Sequence, residues 1–171
     1  MKFILVSYAL ITSIYVHSSV LDQLSLFFNN DLYFTQSSLN TISNTFDKTE
    51  GKYSKKNNNS IVINITSPFK ENYYIDNTKI EIHDLDFDQV RKIPLNEIED
   101  NFFINLLRNE SFETYDIKNL KDNSFKLFAN DKEYNFEFLE DGGLQVIFKD
   151  NMNVKNIVKF SIKLWVLIFF L

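Results

Sequence analysis

In the stretch "HDLDFDQVRKIPL", His83 to Leu95, three acids at alternate positions (Asp84, Asp86 and Asp88) follow a histidine. Alternating acids open an EF-hand calcium loop, D-x-[DN]-x-[DN]-G, which closes with a bidentate Glu at its twelfth position. Counted from Asp84, the sixth position is Gln89 and the twelfth is Leu95, so both the sharp turn and the bidentate ligand are missing. Zinc fares no better, because the chain has no Cys and only two His, one of them His17 near the N-terminus. A solvated acidic turn is what this spacing favours, and no metal or other cofactor is expected. Nor do nucleophiles stand out. There is no G-x-S-x-G, no Cys and no paired His and Ser, so the sequence does not read as an enzyme.

Composition narrows the partners. The 171 residues suffice for one domain with a substantial core. "MKFILVSYALITSIYVHS" has a basic start at Lys2, an apolar run from Phe3 to Val16, and Val16 and Ser18 at the −3 and −1 positions of a cut before Ser19. This predicts a secretory signal peptide over residues 1–18 and one domain over residues 19–171, with a retained N-terminal anchor as the alternative. The formal charge is −5, or −6 once Lys2 is removed. That acidity argues against nucleic acid, whose affinity rests on Lys and Arg neutralising phosphates. Without Cys there are no disulfides and no lipidated N-terminal Cys. Phe is abundant at 18 residues, whereas Gly (3) and Pro (2) are scarce.

Periodicity supplies the elements. "SVLDQLSLFF" (Ser19–Phe28) gathers Val20, Leu21, Leu24, Phe27 and Phe28 near one helical face. "DLYFTQSSLNTIS" has a shorter period and β-favouring residues. "KNNN" (Lys56–Asn59) is a turn signal. "SIVINIT" alternates with Ile61, Ile63 and Ile65 on one face, and "TKIEIHD" with Ile80 and Ile82 in and Lys79, Glu81 and His83 out. Asp76-Asn77 reads as a hairpin-like turn between those two strands. Pro94 breaks the strand pattern and predicts the start of a helix in which Leu95, Ile98, Phe102 and Leu106 form a stripe. Further on, "FKLFA" is a strand, "EYNFEFLE" aligns Tyr134, Phe136 and Phe138, "DGG" (Asp141–Gly143) is a hairpin turn, and "LQVIFK" aligns Leu144, Val146 and Phe148. "IVKFSIKL" puts Val158, Phe160, Ile162 and Leu164 on one face. The sum is an α+β, mainly β domain: one antiparallel sheet with a greasy face that two or three helices must cover. Periodicity leaves a close-packed core and an apolar cavity both open, and native packing density favours the core.

The order of several short motifs resembles the LolA family of periplasmic outer-membrane lipoprotein carriers, from about Leu21 to Phe160. "YFTQ" (Tyr33–Gln36) is similar to the family's F-x-Q strand, and "EGKYSKKN" (Glu50–Asn57) to its G-x-x-x-x-K-R-P element. "TSPFKENYYIDNTKIEIHDLDFDQV" is similar to its long run ending Y-D-x-x-x-x-Q-V, and "FFINLL" falls where it has a mid-chain helix. In that alignment His83-Asp84 takes the Y-D place and the acids fill a surface connection. The resemblance implies a curved antiparallel sheet forming an incomplete half-barrel, a lid of about three helices, and an apolar cavity between them for lipoprotein acyl chains. Its candidate wall is Ile61, Ile63, Ile65, Ile80, Ile82, Phe102, Leu106, Tyr134, Phe136, Phe138, Leu144, Val146 and Phe148. Each of these is equally placed to be plain core.

The resemblance further implies a periplasmic monomer. It would be loaded by an inner-membrane ABC transporter of the LolCDE type and unloaded to an outer-membrane acceptor of the LolB type. Burying an acyl chain gains about 0.8 kcal/mol per CH₂, and a membrane offers the same gain, so extraction needs an outside energy source. Departures are visible. Lys56 and Asn57 replace the family's Arg and Pro, and a compact ammonium cannot copy the planar fork of a lid-closing arginine. Lys56 is thus a lid-closing candidate or an exposed turn lysine. "LWVLIFFL" (Leu164–Leu171) is too short to span a bilayer and fits a last strand, a flap over the cavity or a shifted reading frame. A related sheet-and-lid protein binding another lipid or glycolipid is the rival reading. A secreted eukaryotic or cell-surface domain is a second one, permitted by sequons at Asn58, Asn64 and Asn109.

Overall fold

In a computed structural model of the chain, the residues described are 20–98, 104, 107–108, 115–121, 123–129, 131–150 and 152–162. The expected leader, Phe102, Leu106 and the apolar C-terminus lie outside them. The fold is mainly β. Helix α1 (Val20–Phe28) is followed by β1 (Leu32–Asn40), β2 (Thr45–Lys55), β3 (Ile61–Ser67), β4 (Glu71–Ile75), β5 (Lys79–Asp84) and β6 (Gln89–Pro94). A short 3-10 helix, Leu95–Glu97, comes next. The chain then forms β7 (Asp116–Lys121), β8 (Ser124–Ala129), β9 (Lys132–Phe138), β10 (Leu144–Lys149) and β11 (Lys155–Ile162).

All eleven strands belong to one sheet in the order β6-β5-β4-β3-β2-β1-β11-β10-β9-β8-β7. It is two meanders, β1–β6 and β7–β11, joined where β1 meets β11 with Leu32 opposite Ile162, Phe34 opposite Phe160 and Gln36 opposite Val158. Among the described residues β6 and β7 pair on one side only, so the sheet is open.

One face of the sheet is covered. Helix α1 buries Leu24, Phe27 and Phe28. Phe28 meets Tyr53 and Phe160 edge-on, and Phe27 meets Phe138, so this single helix touches both meanders. Its C-terminal carbonyls are satisfied from outside the helix, as helix ends require. The Asn30 side-chain amide donates to Leu26 O and Phe27 O. The expected three-helix lid is not seen among the described residues. Helix α1 is the one continuous α-helix there, with Ile104, Leu107 and Arg108 helical further on.

Two expectations near the opening acids change. Pro94 does not begin an α-helix; it closes β6, and the 3-10 turn behind it stops at Ile98, whose backbone is extended (φ −90°, ψ 114°). An edge strand tolerates proline because its outward side lacks a ladder partner. Asp76-Asn77 joins β4 to β5, because Glu71–Ile75 inserts a strand between the two that were expected to be neighbours.

The acids themselves are turn builders. Asp84 Oδ1 accepts from Asp86 N and Phe87 N. Asp86 Oδ2 accepts from Lys70 N at 2.8 Å, and Leu85 N donates to Lys70 O at 2.9 Å, which ties the β5–β6 hairpin to the β3–β4 hairpin. Asp88 adopts φ 51°. Asn44, Asn59, Asp131 and Asn153 are also left-handed. Asn and Asp are the residues other than Gly that enter this region most readily, so they supply the tight turns of a chain with three glycines.

Candidate functional site

The joint between β1 and β11 is floored by aromatic side chains, and one glycine makes room for them. A Cβ on Gly51 of β2 would stand 2.5 Å from Asn64 O and 2.7 Å from Phe34 Cζ. Only glycine therefore lets the Phe34 ring cross the neighbouring strand, where it also faces Phe160 with centroids 6.1 Å apart.

Above this floor lies a half-open pocket of about 210 Å³. Strand β1 gives it Phe34 and Gln36, and β11 gives Val158 and Phe160. Ile63 and Ile65 of β3 and Tyr73 of β4 form one flank, and Phe148 of β10 stands on the other. Tyr53 and Leu107 complete it. Tyr73 Oη donates to Glu71 Oε2 at 2.6 Å. Burial, then that hydrogen bond, pushes its pKa up to about 12, so it remains a neutral donor.

Of the expected wall residues, Ile63, Ile65 and Phe148 line this pocket. Ile61, Phe136, Leu144 and Val146 are almost fully buried in the core, as are Ile80, Ile82 and Tyr134. Phe138 packs between Phe27 and Phe125. Ile162, expected on the inner face with Val158 and Phe160, is exposed at the end of β11. Pocket residues outside the expected wall are Phe34, Gln36, Tyr53, Tyr73 and Leu107, together with Val158 and Phe160, which were expected on an apolar face but not in the wall. The signal for the first two was the inward row Leu32, Phe34, Gln36 along β1.

The side chain of Lys56 is exposed, with no polar partner among the described residues; its backbone closes the turn to Asn59 and Ser60. The contacts from β2 to the cover come from the two preceding alternate residues. Tyr53 Oη lies 2.9 Å from Phe28 O and 3.0 Å from Leu107 O, so its one proton is shared between the end of α1 and the segment at Leu107. Burial first, then the charge of Asp31, raises its pKa well above the usual phenol range. Lys55 Nζ reaches Arg108 O at 3.4 Å and Asn29 Oδ1 at 3.5 Å, and burial lowers its pKa.

The opposite face carries polar side chains. Glu81 accepts from Lys79 at 2.7 Å and pairs with His83 at 2.8 Å, with Lys92 at 3.4 Å. The hydrogen bond from Lys79, then that from His83, lowers its pKa from 4.5 to about 2. A carboxyl whose folded pKa is depressed stabilises the fold above its unfolded pKa and loses that contribution as pH falls through the folded value. Carbon-detected NMR should therefore show the Glu81 carboxyl titrating near pH 2, and Lys79→Met should move the midpoint back toward 4.5. A midpoint already at 4.5 in the unaltered protein would mean these contacts do not persist in solution. Among the described residues no group of three His, Asp or Glu is arranged to hold a metal.

No family model and no curated protein matches the chain. Among solved structures it is similar to a LolA superfamily protein from Nitrosomonas europaea, with a TM-score of 0.47 and 8% identity, over 84% of this chain and 92% of that one.

Proposed function

We propose that this chain is a non-enzymatic carrier that shelters an acyl chain between its sheet and its helical cover. The observation that supports it is the pocket astride β1 and β11, whose walls are almost wholly aromatic and aliphatic. Hiding hydrocarbon from water is the one task such walls perform without reactive groups. In its fuller form the proposal makes the cargo a lipoprotein in the periplasm, with residues 1–18 as the export signal. The cargo is then received from an ABC transporter of the LolCDE type and passed to a LolB-type acceptor. The motif order described above motivates that form.

Size sets a condition. A dry apolar cavity of about 150 Å³ takes a benzene molecule, and drug-sized ligands occupy about 300–1,000 Å³. At about 210 Å³ the pocket accepts only a short length of chain as it stands. A full acyl tail requires the cover to move away from β2, which places the hydroxyl of Tyr53 and the ammonium of Lys55 at the point of opening.

A fluorescent fatty-acyl probe should bind the purified chain at a single site. Ile63→Glu, which puts a carboxylate into the pocket, should weaken binding at least about tenfold, since burying an unpaired charge costs several kcal/mol. Lys159→Glu, on the exposed side of β11, should leave it unchanged. Saturable binding that ignores Ile63→Glu would place the probe elsewhere, and no binding at all would return the molecule to a packed β domain.

A further inference from the structure

The pocket has a polar end, and its hydrogen bonds have a direction. Asn156 of β11 is 3% exposed, so its side-chain amide is buried. Its Nδ2 donates to Val154 O at 3.0 Å and to Asp150 Oδ2 at 3.3 Å. A carbonyl and a carboxylate can only accept, so the amide of Asn156 has a single orientation, with Oδ1 turned toward β1. There it accepts from Ser38 Oγ at 2.6 Å and from Gln36 Nε2 at 3.0 Å. Gln36 Nε2 spends its second proton on Ser38 Oγ at 3.1 Å.

Polarity is thus handed from Asp150 through Asn156 to Gln36, which must present its nitrogen to the network. Its Oε1 is left without a partner among the described residues, on a side chain that lines the pocket. The remaining polar side chains of the wall, Tyr53 and Tyr73, already spend their hydroxyl protons on protein acceptors. No buried side-chain polar atom is left unpaired among the described residues, so Gln36 Oε1 is the oxygen on this wall side chain that stays open to a donor from water or from a ligand.

We infer that Gln36 Oε1 is a head-group site, and that the pocket prefers an acyl chain whose polar end offers an N–H or O–H donor over one whose end can only accept. This rests on the acyl-binding reading above and specifies its ligand: amide-linked or hydroxyl-bearing chains are favoured, and simple esters are not. An ester head would set oxygen against oxygen at Gln36 and leave that acceptor unpaired.

Three heads on one chain length test this. Dodecanamide, dodecanol and methyl dodecanoate would each compete with the bound fluorescent acyl probe. One neutral hydrogen bond corresponds to a preference of about fivefold, so the amide and the alcohol should each displace the probe about fivefold more tightly than the ester. The amide and alcohol arms also show whether N–H or O–H is the better fit. Gln36→Met keeps the bulk and removes the acceptor, and it should bring all three competitors to the same affinity. Equal displacement by all three in the unaltered protein overturns the inference while leaving the pocket intact. A preference that survives Gln36→Met overturns the assignment to this residue. Failure of every competitor overturns the acyl-binding reading itself. The comparison in the unaltered chain needs no variant, so a poorly folding Gln36→Met does not remove the test.

Discussion

Phe136→Ala is expected to be among the most destabilising single changes in this protein, at about 3–5 kcal/mol, with little effect on the pocket. Phe136 is 1% exposed. It stacks on Phe125 with ring centroids 4.8 Å apart and planes 4° from parallel, and it lies opposite Phe125 on β8 and Val146 on β10. Truncation removes the transfer energy of the ring and leaves a cavity between strands that cannot collapse together. Urea denaturation should show the midpoint falling with an unchanged slope. Acyl-probe affinity, measured where the variant is still folded, should match the unaltered protein. A folded variant that has lost the probe would make Phe136 a pocket wall after all, as the family resemblance implied.

Tyr53→Phe should separate stability from access. The ring is buried and packs edge-on against Phe28, so phenylalanine fits the same space. What disappears is the proton shared between Phe28 O and Leu107 O. Leaving buried acceptors unpaired costs about 1–3 kcal/mol, and that cost is carried by the contact between cover and sheet. The folded protein should therefore lose about that much stability while the acyl probe enters faster in stopped-flow mixing. If opening limits entry, the same loss makes the association rate rise about fivefold or more. Loss of stability with no change in entry rate would mean that the cover opens elsewhere. Lys56→Leu, by contrast, removes an exposed side chain and should change neither quantity.

How far the sequence could be read follows from what each strand buries. Strands β3, β5, β9 and β10 alternate cleanly because one side packs on the core and the other meets solvent, so Ile61, Ile80, Phe136 and Val146 stood out. In β4, Tyr73 faces the pocket and Tyr74 faces His83 on the other side, so aromatic residues occupy both faces and no period shows. Strands β6 and β7 are edge strands, exposed over most of their length, and a strand that buries little carries little pattern.

The pocket was harder to read for a different reason. The most regular apolar rows mark the best-packed places, which is why most of those residues proved to be core and only Ile63, Ile65 and Phe148 reach the pocket. A pocket depends on where the cover fails to reach, and that is set by α1 and by Leu107, remote in sequence from the strands they cover. Gln36 went unnoticed as a ligand group because the direction of its amide depends on Asp150, which comes close only after folding.

The single joint between β1 and β11 also bears on the order in which the molecule is made. Every other strand pair joins chain neighbours, so both meanders can zip from hairpins on a microsecond scale. Gln36 and Asn156, by contrast, are 120 residues apart, and contacts of such separation pay their loop-closure entropy before they return anything. The two halves meet last on this account, and Phe34, Gln36, Val158 and Phe160 face one another only then. Binding competence and completion of the fold would arrive in the same step. A molecule held in the pocket bridges both halves, so by mass action it stabilises the one pairing that local folding cannot supply.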